Sequence, residues 1–274
     1  MLKVVSWNIA RRDAAWRYLI ETDADIALLQ EAAEPPSDVA RNISTDSGPW
    51  RTAGAGVSRP WRTAVVNISN RAEVQWLEAK PLVDATPGEL AVSRPGTLAV
   101  AVVKPLHMEP FIVASMYAPW EKPNAATCST LIYADGSAHR LISDLSSLVG
   151  RQAGHRILAA GDLNILHGYG EHGSSYWTSR YETVFTRMEA IGIRFIGPQA
   201  PGGRVAEPWP LELPASSKNV PTYHTSYQTR ATATRQLDFV FASSGFAEAL
   251  RVRALNDDAT WGPSDHCRVE VEVS

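Results

Sequence analysis

An α/β fold is what this sequence predicts, and two observations carry that reading. Strand-like and helix-like patterns alternate from one end of the 274 residues to the other. Several strand segments are also nearly continuous apolar runs, such as Ile26-Ala27-Leu28-Leu29 and Ile157-Leu158-Ala159-Ala160. Such runs belong to strands covered on both faces. In order, strands are expected at Leu2–Ile9, Asp25–Glu31, Arg62–Ser69, Thr97–Lys104, Phe111–Tyr117, Arg156–Asp162, Gln236–Ala242 and Arg268–Val273. Helices are expected at Asp13–Thr22, Ser137–Arg151 and Tyr181–Ile191. In the second, Leu141, Ile142, Leu145, Leu148 and Val149 fall on one helical face, and Gly154 follows as a stop. Ile196–Pro221 holds six prolines and three glycines with little periodicity, so it reads as a long surface loop, a kind that often carries function. With no internal repeat and no linker where composition changes, residues 1–274 are expected to form a single domain.

Composition narrows the setting. With 45% hydrophobic and 20% charged residues the chain reads as an ordinary globular protein. Met1 to Ala10 runs straight into an apolar stretch, without a basic n-region or a cleavage site. No apolar run approaches the roughly 18 to 20 residues that span a bilayer. Membrane insertion is therefore not expected, and the cytoplasm is the expected compartment. Cys128 and Cys267 are too few for a disulfide framework or a cysteine-rich zinc site, though a bridge between them stays open. A net charge of −3 does not point to nucleic acid, yet acidic metal ligands gathered in one site lower the total without making its rim acidic. Arginine far outnumbers lysine, which occurs five times, and arginine suits bidentate phosphate contacts. The codon bias of a GC-rich genome is the simpler explanation.

Polar residues recur at the C-terminal ends of the apolar strands, where α/β folds commonly gather their sites. Asn8, Glu31 and Tyr117 each end one; Asp162 and Asn164 end another; Asp265 and His266 precede the last. One such residue alone would more often be a turn or cap. In Gly161-Asp162-Leu163-Asn164, side chains two apart point the same way, so Asp162 and Asn164 could share one small ligand. Gly161 permits close approach of backbone or ligand. An acidic and an amide oxygen side by side suit a hard cation or a polarised water, and an Asx-turn fits the same tetrapeptide equally well. In Leu237-Asp238-Phe239-Val240-Phe241-Ala242 the apolar residues Leu237, Phe239 and Phe241 share one face, leaving Asp238 on the other with Val240 and Ala242. A covered carboxylate needs a partner: Arg235, a backbone amide, or His266, whose protonated form it would favour.

Together these motifs resemble the endonuclease/exonuclease/phosphatase superfamily, which includes exonuclease III-like, Mg-dependent phosphoesterases. Ser6-Trp7-Asn8, Leu29-Gln30-Glu31, Ser115-Met116-Tyr117-Ala118-Pro119, Gly161-Asp162-Leu163-Asn164, Leu237-Asp238-Phe239-Val240 and Ser264-Asp265-His266 match its motifs in order through nearly the whole chain. The resemblance implies a four-layer α/β sandwich, two mixed β-sheets packed face to face with flanking helices. It implies Mg²⁺, with Mn²⁺ as a substitute, held mainly by Glu31 with Asn8 and Asp265 close by and bound partly through water. It further implies that Asp162 deprotonates the attacking water, that Asn164 holds the phosphoryl group and that Tyr117 hydrogen-bonds the phosphate. Asp238 would fix His266, whose imidazolium stabilises a nonbridging oxygen; whether Asp162 or His266 is the base stays open. Two departures stand out. Ala10 occupies a position where many repair nucleases carry an acidic residue, which favours one metal, and Trp120 follows Pro119 where those enzymes often have asparagine.

Substrate contacts are expected from Trp120, His167, Trp177, His224 and Trp261. The tryptophans, with Trp209, are read as loop residues able to stack on bases, and Arg180, Arg230 and Arg235 as backbone contacts. The expected function is hydrolysis of a phosphodiester by in-line attack of water, in a nuclease acting on DNA or RNA. A phosphatase or phosphodiesterase of a small molecule or lipid headgroup is the alternative. A non-catalytic binding module is a third reading, disfavoured because such a module needs no full set of Glu31, Asp162, Asn164, Asp238 and His266. No obligate protein partner is implied.

Overall fold

A computed structural model describes residues 1–54, 57–87, 89–123, 125–150 and 154–274. Along the chain, β1 (Leu2–Asn8) leads through α1 (Asp13–Ile20) to β2 (Ile26–Ala32), α2 (Ser37–Ala40) and the short β3 (Ser44–Thr45). A ribbon of β4 (Thr52–Gly54) and β5 (Val57–Arg59) precedes β6 (Arg62–Asn67), β7 (Ala72–Leu77), β8 (Ala79–Pro81) and β9 (Leu90–Val92). Then come β10 (Leu98–Pro105), β11 (Phe111–Tyr117), α3 (Ala134–Leu145), β12 (Ile157–Asp162), α4 (Ser175–Ala190) and β13 (Ile193–Gly197). The chain closes with β14 (Asp238–Ser243), β15 (Leu250–Leu255) and β16 (Arg268–Val273).

Two six-stranded sheets result, ordered β15-β16-β1-β2-β6-β3 and β13-β14-β12-β11-β10-β7. Both are mixed, since β1–β2 and β11–β12 are parallel and their other pairs antiparallel. The period of two along each strand sorts side chains between layers. Val4, Leu28 and Val65 of the first sheet meet Val103, Val113, Leu158 and Val240 of the second in a shared interior. Val5, Trp7 and Leu29 point outward, against Ala15, Trp16 and Leu19 on the apolar face of α1. On the far side of the second sheet, Leu141, Ile142 and Leu145 of α3 and Val184, Phe185 and Met188 of α4 cover Phe239, Phe241 and Ile157. This is the four-layer α/β sandwich that the motifs imply.

The eight expected strands all form, but four strands of the main sheets were not anticipated: β3, β7, β13 and β15. Each lies at a sheet edge. Edge strands carry polar residues such as Glu73, Gln75, Arg251 and Arg253 on an exposed face, so they lack the continuous apolar run of a central strand. The strand expected from Gln236 begins at Asp238 instead. The Leu237 and Asp238 amides donate to Thr222 Oγ1, and the Gln236 side chain holds the Pro198 carbonyl and the Val220 amide.

Helix boundaries move as well. The helix expected from Ser137 starts at Ala134 and gives way after Leu145 to a tight turn over Ser146–Leu148. There Ser146 and Ser147 donate to the carbonyls of Ser143 and Asp144, competing with the helical ladder. The expected end at Arg151 lies outside the described residues. The helix expected from Tyr181 starts at Ser175, two turns early, so Trp177 is helical rather than in a loop. The expected loop from Ile196 begins after Gly197, where β13 ends, and irregular chain continues to Leu237. Both cysteines are free, Cys128 exposed and Cys267 buried. No helix among the described residues is long and apolar enough to cross a membrane.

Candidate active site

Strand register brings the motifs to one edge of the sandwich. Parallel β1 and β2 place Asn8 beside Gln30, so Asn8 and Glu31 emerge together. In the second sheet Tyr117 of β11 lies opposite Asp162 of β12, and Asp162 lies opposite Asp238 of β14. Because β16 runs antiparallel to β1, the residues just before it return to the same edge. There Ser264 Oγ donates to the Asn8 carbonyl at 2.7 Å and ties that turn to β1. Gly161 is required by close approach of the backbone: a Cβ there would collide with the Met116 carbonyl of the neighbouring strand.

Glu31 sits at an irregularity in the β2–β6 pairing, between Leu29 and Ala32, with φ 46°. A bulge of this kind turns one side chain out of the strand's alternation. Ala10 and Arg11, with φ 46° and 61°, are likewise left-handed, and the Arg11 amide donates to the Glu31 carbonyl. Non-glycine residues held in this region cost about 1 to 3 kcal/mol each and concentrate at functional sites.

The hydrogen bonds run through Asp162. Its Oδ2 accepts from Asn8 Nδ2 at 2.9 Å and from Asn164 Nδ2 at 3.2 Å, and its Oδ1 accepts from the Asn164 amide at 2.9 Å. The Asn164 amide bond is that of an Asx-turn, so turn and shared-ligand geometry coexist in this tetrapeptide. His266 Nε2 lies 3.8 Å from Asp162 Oδ2, and His266 Nδ1 lies 2.8 Å from Asp238 Oδ2. The partner of Asp238 is therefore His266; Arg235 pairs with Glu171. All three groups of this chain are buried. Burial pushes the Asp162 carboxyl up to about 7; the His266 charge opposes the rise and Asp238 adds to it. For His266 burial works against the charged ring, but Asp238 and then Asp162 outweigh it and raise the ring to about 10. The ring is thus an imidazolium at neutral pH.

Tyr117 closes the other side, donating to Glu31 Oε1 at 2.8 Å. Burial, then the charges of Glu31 and Asp162, hold its hydroxyl well above its ordinary value, so it stays a donor. Asn8 Nδ2 is 3.4 Å from the same Glu31 oxygen. Arg11 Nε stands 3.6 Å from Glu31 Oε2, and Arg12 stands 4.0 Å from Asp265 Oδ1. Among the described residues no three His, Cys, Asp or Glu side chains form a ready-made metal cage. The donors present are all oxygens: those of Glu31, whose Oε1 lies 3.4 Å from Asn8 Nδ2, and of Asp265, whose Oδ1 accepts from the Ser264 hydroxyl that also holds the Asn8 carbonyl. That set fits Mg²⁺, which takes one or two carboxylates and keeps several waters.

The expected substrate contacts divide. Trp120 is exposed at 62% just beyond Tyr117, and the His224 amide donates to the Asp265 carbonyl at 3.1 Å, so both lie on the rim. Trp261 is fully buried and its Nε1 donates to the Ser264 carbonyl, so it braces the Ser264–His266 turn and offers no face to a base. His167 packs against Phe185, Phe195 and Phe239 and bonds Asn219, which makes it part of the aromatic core. Trp177 packs on α4 among Tyr133, Tyr176 and Tyr181, and Trp209 bonds the Leu213 carbonyl. Arg180 pairs with Asp135, and Arg230 reaches the Asp258 carbonyl. Two contributors escaped the sequence reading. Tyr223 lays its ring against His266 at 4.8 Å, and Thr222 Oγ1 caps the start of β14. Their sequence signal was only adjacency to His224.

No family model and no curated protein matches the chain in sequence. Solved structures do match it in shape. The catalytic domain of APE2 from Xenopus laevis superposes with a TM-score of 0.64 at 17% identity, covering 99% of this chain and 91% of that one. The endonuclease domain of TRAS1, a telomere-specific non-LTR retrotransposon, gives 0.62 at 15%, covering 100% and 98%. The AP endonuclease LMAP from Leishmania major gives 0.61 at 16%, covering 98% and 86%. The chain has the fold of these solved structures. The likeness in fold extends over essentially the whole chain.

Proposed function

We propose that residues 1–274 form one catalytic domain that hydrolyses a phosphodiester bond in DNA or RNA by attack of water. The observation that supports this most is the buried Asp162–His266–Asp238 chain beside Asn164, Tyr117 and Glu31. Asp162 takes the proton of the attacking water on Oδ2, the oxygen that faces both Asn8 and His266. Asn8 and Asn164 fix that carboxylate, and Asn164 holds the phosphoryl group. His266, kept as an imidazolium by Asp238, donates toward a nonbridging oxygen on which charge develops. Tyr117 donates to the phosphate in exchange for part of its bond to Glu31. Glu31, with Asn8 and Asp265, would hold Mg²⁺, which when bound neutralises charge on the phosphate and the leaving oxygen. The similar structures named above include nucleases, which favours nucleic acid over a small phosphate ester. Labelled single-stranded and abasic duplex oligonucleotides, RNA and a soluble phosphoinositide, each with Mg²⁺ at low salt, test the reading. Strand scission abolished by a chelator is expected; turnover of the inositol headgroup without scission would overturn it.

A further inference from the structure

Beyond Tyr117 the flank of the cleft is built from arginines that the chemistry above does not use. Arg59 ends β5, and its guanidinium lies 5.4 Å from the centre of the Trp61 ring. Trp61 in turn meets Tyr117 edge-on at 5.0 Å. Arg94 sits in the turn between β9 and β10, where Thr97 donates to its carbonyl at 2.7 Å. Arg94 reaches Glu121 Oε1 at 3.3 Å, Ser137 donates to the same oxygen at 2.6 Å, and Arg140 of α3 pairs with it too. One carboxylate oxygen thus serves two guanidiniums and a hydroxyl.

Arg59 has no carboxylate partner among the described residues, and its Nη1 is buried without a hydrogen bond. A buried donor left unpaired is costly, and arginine cannot shed its charge to escape. Burial, then the charge of Arg94, pulls Arg59 below its ordinary value; burial does the same to Arg94. Both lie beside Tyr117: Arg59 through Trp61, and Arg94 through Thr97, whose carbonyl accepts from the Tyr117 amide at 2.9 Å and whose hydroxyl donates to the Arg94 carbonyl. Two guanidiniums flanking Tyr117, one with a buried nitrogen left unpaired, favour an anion there.

We propose that Arg59 and Arg94, beside Trp61 and Tyr117, form a second anion subsite that receives the phosphate next to the one cleaved. Guanidinium forks match phosphate oxygens bidentately. A nucleic-acid backbone, with its phosphates in series, would reach from Asp162 and Asn164 past Tyr117 to Arg59. This rests on the nuclease reading and specifies how such a substrate is seated.

The test replaces each phosphate flanking the scissile one, in turn, with a neutral methylphosphonate in an oligonucleotide substrate. For the wild-type protein one position should raise KM about tenfold with kcat nearly unchanged. Arg59→Gln should raise KM similarly on the fully charged oligonucleotide and make that same methylphosphonate cost nothing further. Wild-type scission insensitive to every replacement, or a replacement that costs as much in Arg59→Gln as in wild type, would overturn the subsite while leaving the nuclease reading standing. Absence of any scission by the wild-type protein would remove both. If Arg59→Gln fails to fold, the wild-type series alone decides.

Discussion

The two flanks of the cleft solve opposite electrostatic problems. On the His266 flank the charges are buried and mutually paired: Asp238 holds one ring nitrogen at 2.8 Å, Asp162 faces the other, and Asn8 and Asn164 fix Asp162. On the Tyr117 flank Arg94 and Arg140 share one carboxylate oxygen of Glu121, and a buried Arg59 nitrogen is left without a partner. The first network is paired within the protein except at Asp238 Oδ1, and its fixed partners pre-organise it. An unsatisfied one is poised to be completed by something else. Under the proposed function, pairing separates the groups assigned to the bond from those assigned to the rest of the substrate.

Substitutions sharpen that contrast by how they divide between turnover and binding. Asp162→Asn keeps shape but removes the proton acceptor, and should lower kcat on the order of 10³-fold with little change in KM. Its thermal midpoint should change little, because burial no longer penalises a charge there while the attraction to His266 and one accepted hydrogen bond are lost. Near-full activity in this variant would refute the assigned base. Next in size, His266→Gln should cost kcat about 10²-fold, again without loss of folded structure by circular dichroism. Glu31→Gln should shift the Mg²⁺ titration of activity to roughly tenfold higher concentration, since one ligand charge is lost and neutral oxygens remain. An unchanged titration would remove Glu31 from the metal site. The smallest effect belongs to the rim: Trp120→Ala should raise KM for an oligonucleotide several-fold, within the roughly 1 to 3 kcal/mol of one stacked base, and leave kcat alone.

The same contrast explains what was legible in the sequence. Asp162, Asp238 and His266 could be read because each ends or borders a central strand whose apolar run announces it, and because their motifs recur in fixed order. Gly161 was legible as a close approach, and the structure shows that the neighbour is backbone. Arg59 gave no such signal, since it stands at the end of a three-residue strand with no apolar run to mark it. Trp261 and His167 were misread as substrate contacts because a loop position does not tell an exposed ring from one packed under the loop. Edge strands such as β15 were missed for a related reason, as Leu250–Leu255 alternates with arginines on its open face.

The central claim is that Asp162 acts as a carboxylate beside an imidazolium fixed by Asp238, and the pH dependence of kcat/KM on an oligonucleotide tests it most directly. Asp162 must be ionised, so the rate should rise with pH toward a limb near 7, displaced downward by any bound cation. His266 must be protonated, so the rate should fall above a limb near 10. Both limbs belong to the coupled pair rather than to single residues. Asp238 raises both groups, so Asp238→Asn should move both limbs to lower pH. An alkaline limb that stays in place in Asp238→Asn, or an acid limb that persists in Asp162→Asn, would contradict the account.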